Sequence, residues 1–171
     1  MPTITPGHPT PDLIVPTVSH GTYNLAKERA KRFTLLVFFR GYHCSICMEY
    51  IHDLASRLNQ FKKLGISVIA LSCDTLERAR QTAEEWHLGD LPLAYGVTVA
   101  QAREWGLYIS RKIANHEPEM FCEPGMFVVT PKRTLYSVQV QSHPFSRVDL
   151  AQVVKDFEYI IERNYPARGE A

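Results

Sequence analysis

The sequence predicts an α/β fold, a central β-sheet of mixed strand direction flanked by helices, on three observations. Two mostly apolar segments, Phe33 to Phe39 and Ile66 to Leu71, have strand length and are rich in strand formers, the pattern of strands buried on both faces. Each is followed by a segment of helical periodicity, so strand and helix alternate. Near the end, Met126 to Val129 and Thr134 to Gln141 flank the turn Pro131-Lys132-Arg133, which predicts an antiparallel hairpin.

Taken in order, the segment to about Gly21 holds Pro2, Pro6, Pro9, Pro11 and Pro16 and is expected to run extended, with Leu13-Ile14-Val15 a short cover strand at a sheet edge. From Cys44, the stripe Cys44, Cys47, Ile51, Leu54, Leu58 and Phe61 steps by three and four residues and marks an amphipathic helix that Gly65 ends. A charged helix is expected over Thr75 to His87 and another over Thr98 to Trp105, after Leu91-Pro92-Leu93-Ala94. A Gly/Pro-punctuated loop then leads to the hairpin, and a last helix covers about Arg147 to Arg163. Residues 1–171 are expected to form one domain, with 1–21 its extended start.

Composition narrows the function. At 45% hydrophobic and 22% charged, the chain is too apolar for intrinsic disorder. Nineteen basic against eighteen acidic residues leave a charge of +1, and no segment gathers the basic density that nucleic acid requires. The apolar runs fall far short of the ~20 residues that span a bilayer, so no membrane crossing is expected. The first twenty residues lack Lys and Arg, unlike a secretory signal, and a cytoplasmic location is expected. In that reducing compartment the four cysteines read as catalytic, buried or metal-binding.

Cys44-Ser45-Ile46-Cys47 stands where a buried strand gives way to a helix. The helix end aims unpaired N–H groups and a positive dipole end at the first sulfur, which favours thiolate, the reactive form. Three residues is nearly one helical turn, so both sulfurs lie on one side and can close a disulfide. Cys47 is in phase with the core stripe and Cys44 sits at the wetter end, so Cys44 is expected to attack and Cys47 to resolve. On the residues alone two alternatives stay open: buried cysteines acting as small hydrophobes, and a zinc pair, although no second pair with ligand spacing accompanies it.

The run Phe38-Phe39-Arg40-Gly41-Tyr42-His43-Cys44-Ser45-Ile46-Cys47 resembles the active-site junction of the thioredoxin superfamily. The opening Pro6-Gly7 with Pro11-Asp12-Leu13, the run Ser72-Cys73-Asp74-Thr75 and Glu123-Pro124-Gly125-Met126-Phe127 look closest to its peroxiredoxin-like (AhpC/TSA, alkyl hydroperoxide reductase and thiol-specific antioxidant) branch. The resemblance implies a thioredoxin-like fold and a thiol oxidoreductase, with no dissociable cofactor and no metal, that cycles Cys44–Cys47 between dithiol and disulfide. Its implied partners are a peroxide or disulfide substrate and a thiol reductant, with homodimers common among similar proteins. A redox-inactive binding module or metal-binding protein of the same fold is the alternative. The resemblance also implies a cis Glu123–Pro124 bond packed on the cysteines, leaving the backbone of Glu123 free to pair with an extended substrate. The chain departs from the family pattern as well: Cys44 stands where typical peroxiredoxins place a Thr, and Pro124 where they use an Arg. Typical thioredoxins bury an Asp where Phe38 stands, so no proton acceptor for Cys47 is identified.

Around the pair, Arg40 either lowers a thiolate's pKa or forms an ordinary ion pair, and His43 either shuttles protons or shields the sulfur. Glu123 is a candidate base toward the resolving thiol. Cys73 and Cys122 are expected at the active-site edge of the sheet, as extra resolving thiols or buried spectators. Trp86, Trp105, Tyr108 and Phe145 read as packing residues, and 141–145 as lining a groove or a dimer contact.

Overall fold

In the computed structural model, which describes residues 4–171, the strand expected around Leu13-Ile14-Val15 pairs with the segment after it, and the Pro-rich start meets the main sheet only at its edges. Residues 1–3, Pro2 among them, lie outside the described residues. Strand β1 (Ile14–Pro16) pairs antiparallel with β2 (Thr22–Asn24), and Gly21, at a φ of 68°, lets the chain reverse between them. The turn is closed by Thr17, whose N–H donates to Gly21 O at 2.9 Å and whose hydroxyl accepts from His20 N at 2.8 Å. Thr17 also makes the one bridge from this ribbon to the edge of the main sheet, at Ala94. Farther upstream the cover is real: Gly7 N donates to Leu135 O at 2.7 Å and Thr10 N to Arg133 O at 2.9 Å, laying the segment along the terminal hairpin.

The main sheet contains β3 (Phe33–Phe38), β4 (Ile66–Leu71), β5 (Leu93–Ala94), β8 (Gly125–Val129) and β9 (Leu135–Val140), in the order β5-β4-β3-β8-β9. Strands β3, β4 and β5 run parallel, while β8 is antiparallel to both β3 and β9, which gives the expected mixed direction. Side chains of a strand alternate between faces. Leu35 and Val37 of β3 accordingly enter one core with Ile51, Leu54, Phe61, Val154 and Phe157, whereas Leu36 and Phe38 enter a second with Leu13, Val15, Ala102 and Trp105. A strand sandwiched in this way has no polar face, which is why its sequence reads as a mostly apolar run.

The helices are α1 (Ser45–Ser56), α2 (Leu58–Lys63), α3 (Leu76–Glu85), α4 (Val99–Glu104) and α5 (Leu150–Arg163). The single helix expected from Cys44 to Gly65 is broken at Arg57, where ψ turns to 1° and the N–H is shared between Asp53 O and Leu54 O at 3.2 Å each. Both halves keep the stripe inward, with Ile51, Leu54 and Phe61 fully buried. Thr75 and Thr98 cap α3 and α4 through their hydroxyls, as Thr does well. Helix α5 begins three residues later than expected because Asp149 caps it, its carboxylate accepting from Ala151 N at 3.0 Å, and Arg147 is thereby left outside the helix.

The loop expected before the hairpin contains a ribbon of its own, β6 (Ile109–Arg111) paired antiparallel with β7 (Met120–Cys122). Trp86 and Trp105 are core residues as expected, but Tyr108 and Phe145 are more than half exposed and do not pack the interior. Among the described residues no helix is long and apolar enough to cross a membrane.

Candidate active site at the helix α1 N-terminus

The six residues from Phe39 to Cys44 carry the chain from β3 into α1 and set the cysteines at the end of the sheet. Cys44 is the N-cap of α1: its backbone is extended and its Sγ accepts from Cys47 N at 3.2 Å. A sulfur therefore fills the place usually taken by a Ser, Thr or Asp oxygen. Both cysteines are free thiols facing the same core, with Cys44 4% and Cys47 0% exposed. The expected order of wetness holds by that small margin.

Electrostatics separate the two sulfurs. The Cys44 pKa is lowered to about 6, chiefly because the Cys47 thiol donates to its sulfur; the Cys47 N–H, Arg40 and Arg147 add to this, and burial opposes it. Cys47 is pushed up, first by burial and then because its proton is engaged by Cys44. The negative charge of the pair thus rests on Cys44. His43 is lowered to about 4, by burial first and then by the Arg40 charge, so it is neutral above pH 5. Alkylation of Cys44 by iodoacetamide is therefore expected to rise through about pH 6 and level off above pH 7, since protonation below that value removes the nucleophile. A midpoint near the ordinary ~8.5 of a thiol would contradict the lowering of Cys44 by the Cys47 thiol and its other neighbours.

Arg147 is the site residue that sequence reading missed. Its Nη2 lies 2.7 Å from Cys47 Sγ across 100 residues of chain, and its guanidinium stacks over the Tyr50 ring at 4.9 Å. The remaining Nη1 is buried without a hydrogen-bond partner, as is Gln141 Oε1. Both residues line a cavity of about 30 Å³ together with Tyr50, Pro124, Met126 and Val148. That cavity admits one or two water-sized molecules and offers a donor and an acceptor to them.

On the other side of the pair, Arg40 lies 3.2 Å from Glu123 Oε2 and 3.7 Å from Glu117 Oε1, with its guanidinium over the Phe121 ring. It is ion-paired, and its charge is also one of the influences that lower Cys44. The Glu123 Oε1 also accepts from Ser110 Oγ at 2.6 Å, while Oε2 faces Arg40 as an ion pair without a hydrogen bond. His43 packs against Phe121 with centroids 4.6 Å apart, and neither ring nitrogen is hydrogen-bonded.

Two expectations from the thioredoxin resemblance are overturned. No peptide bond among the described residues is cis, Glu123–Pro124 included. The Glu123 backbone is not free either: its N–H donates to Tyr108 O at 2.8 Å, and Pro124 O accepts from Gln141 N at 3.0 Å. Both neighbours of the bond are tied into strands, and trans is the ordinary state of an X-Pro bond. Pro124 itself lines the cavity beside Arg147.

A sheet, a thiolate-favouring helix cap and a buried partner sulfur match a known group. Residues 6–138 match the AhpC/TSA family. The chain belongs to the AhpC/TSA family. Among relatives of this AhpC/TSA protein, alkyl hydroperoxide reductase C of Escherichia coli K12 is 24% identical over 137 residues, covering 78% of this chain and 71% of the relative. Peroxiredoxin-2 of Macaca fascicularis is 26% identical over 166 residues, covering 91% and 80%. The fold agrees as well. A cysteine-to-serine mutant of peroxiredoxin 6 of Arenicola marina superposes with a TM-score of 0.82 at 15% identity, covering 95% of this chain and 76% of that one. Reduced 2-Cys peroxiredoxin of Plasmodium vivax gives 0.75 at 15% identity, covering 95% and 99%. The chain is a thiol oxidoreductase of the peroxiredoxin-like group, with a thioredoxin-like fold.

Proposed function

We propose that this protein reduces peroxides at the Cys44–Cys47 pair and is returned to the dithiol by a thiol reductant. The observation that carries the reading is Cys44 Sγ capping α1 by accepting from Cys47 N, one turn from a Cys47 sulfur 2.7 Å from Arg147 Nη2, in surroundings that lower the Cys44 pKa. The Cys44 thiolate attacks one peroxide oxygen, the O–O bond breaks, and the leaving oxygen takes a proton and departs as water or an alcohol. Cys47 then gives up its proton, and its thiolate, held opposite the Arg147 cation, attacks the Cys44 sulfenic sulfur. The S–O bond breaks, hydroxide takes that proton as water, and the disulfide forms. A dithiol reductant supplies two electrons to reopen it. Residues 1–171 act as one redoxin domain in this reading, in the reducing cytoplasm, with a homodimer as its assembly. Membership of the AhpC/TSA family disfavours the redox-inactive module.

Arg40, His43 and Pro124 frame the pair in this reading: Arg40 supports the Cys44 charge, His43 packs on Phe121 beside Cys44 in sequence, and Pro124 walls the cavity. Stopped-flow mixing of dithiol-reduced protein with hydrogen peroxide is expected to give a second-order rate far above that of a free thiol, and a rate equal to a free thiol would overturn the reading. A second assignment, with Cys47 as the sulfur that meets peroxide, is favoured by one observation, the cavity beside Arg147.

Replacing Arg147 by Met removes the charge-assisted hydrogen bond to Cys47, worth about 1.5–3 kcal/mol, and is expected to slow disulfide closure roughly 10- to 100-fold. Arg147→Lys retains the charge and should recover part of the loss. Trapping the sulfenic acid with dimedone reads the effect directly, as longer survival in R147M.

A further inference from the structure

Two of the four cysteines take no part in this chemistry. Cys73 follows β4 by two residues, and Cys122 is the last residue of β7. They arrive at the same place because Phe39, one residue past the end of β3, joins both neighbourhoods: its N–H donates to Leu71 O at 2.9 Å, and its carbonyl accepts from Cys122 Sγ at 3.6 Å. Cys73 packs against the core cluster that contains Cys122, on the sheet face opposite the one lined by Cys44 and Cys47. The two thiols are close enough to perturb each other, so the Cys73 sulfur is an alternative acceptor to Phe39 O for the single Cys122 proton. Access is unequal. Cys122 is fully buried, whereas Cys73 is half-buried and is the most accessible of the four cysteines.

We propose that Cys73 and Cys122 form a second dithiol–disulfide couple, which exchanges with low-molecular-weight disulfides entering at Cys73. It goes beyond the peroxide reading and does not depend on it. A hydrogen bond donated by Cys122 lowers the Cys73 pKa, against the opposing effects of burial and the Asp74 carboxylate, so the accessible sulfur is also the more nucleophilic. Cys122 is raised by that same hydrogen bond first, then by burial and by the negative charge of Cys73. The Cys73 thiolate attacks one sulfur of a small disulfide RSSR, forms a Cys73–SR mixed disulfide and expels RS⁻. Once Cys73 is capped its charge is gone, and two of the influences that hold Cys122 protonated, the hydrogen bond and then the repulsion, are relieved while burial remains. The Cys122 proton passes to RS⁻, the Cys122 thiolate attacks Cys73 Sγ, and the second RS⁻ leaves with the proton Cys73 originally carried. Two cysteine sulfurs are oxidised, RSSR becomes two RSH, and atoms, protons and electrons balance.

The test uses the Cys44→Ser/Cys47→Ser double variant, in which only this couple is present, equilibrated in buffers of stepped oxidised-to-reduced glutathione ratio. Peptide mapping by mass spectrometry is expected to find a Cys73–Cys122 cross-link, a loss of two protons, that grows with the ratio and is reversed by dithiothreitol. Cys122→Ser should instead accumulate glutathione on Cys73. Free thiols, or a stable glutathione adduct with no cross-link, in fully oxidised buffer would overturn the proposal. If the double variant does not fold, the unaltered chain serves: a mapped Cys73–Cys122 cross-link supports the couple, and oxidation confined to Cys44 and Cys47 rejects it. A failure of the peroxide reading leaves either result unaffected, because the double variant has no Cys44–Cys47 pair.

Discussion

Cys44→Ser is expected to abolish peroxide turnover, lowering the second-order rate with hydrogen peroxide by more than about a thousandfold, because a serine hydroxyl is scarcely ionised where the thiol is largely anionic. The fold should survive the change. A serine oxygen is a better N-cap acceptor than sulfur, so the contact to Cys47 N persists and stability stays within about 0.5 kcal/mol. The partner substitution separates the two assignments. If Cys44 is the sulfur that attacks peroxide, Cys47→Ser completes one fast turnover and stops with a dimedone-reactive sulfenic acid on Cys44. The opposite pattern, with Cys44→Ser retaining the fast first turnover, would transfer the peroxide-reactive role to Cys47 and its Arg147 cavity.

That experiment bears on the weakest link between sequence and site. The position of both sulfurs was legible, because a mostly apolar run of seven residues followed by a three-and-four stripe fixes where strand stops and helix begins. A lowered Cys44 pKa was expected from its helix-end position, but its near-complete burial beside Cys47 was not, and Arg147 adds to the lowering from outside the local pattern. Arg147 was not legible. It reaches Cys47 from 100 residues away, and only the Asp149 cap, which starts α5 late, keeps it free to do so. An Asp two residues after an Arg was the available signal, and the apolar periodicity of the helix masked it. The β6–β7 ribbon was missed for another reason. Its strands are three residues each, too short for alternation to register, yet they hold Glu123 N–H against Tyr108 O and so remove the free backbone edge that the thioredoxin resemblance implied. Long elements with a buried face write themselves into the sequence; short ribbons and long-range side-chain contacts do not.

Gly41 shows how tightly the active-site loop is held from beneath, and its replacement by Ala is expected to have the largest effect on stability. Gly41 has φ of 129°, a conformation that L side chains rarely adopt. A Cβ there would lie 2.5 Å from Asp74 Oδ1 and 2.9 Å from its Cγ and Oδ2. Asp74 cannot simply swing away, since it is 2% exposed and its Oδ2 accepts from Tyr42 N at 2.8 Å. Burial raises its pKa, so a carboxylate that lost this contact would be left charged in a dry site, or protonated. Backbone strain of about 1–3 kcal/mol and a disrupted buried hydrogen bond of about 1–3 kcal/mol together give a loss of roughly 3 kcal/mol. At about 2–4 °C per kcal/mol for a chain of this size, Tm should fall by about 10 °C in a thermal melt. Asp74→Ala clears the space above Gly41, so the double variant Gly41→Ala/Asp74→Ala should be more stable than the sum of the two single losses, by about 1 kcal/mol or more. Strict additivity would show that the carboxylate is not what the loop rests on. The same displacement shifts Tyr42 two residues before Cys44, so whatever Gly41→Ala protein remains folded should also react more slowly with peroxide, joining the support of the loop to the chemistry at its end.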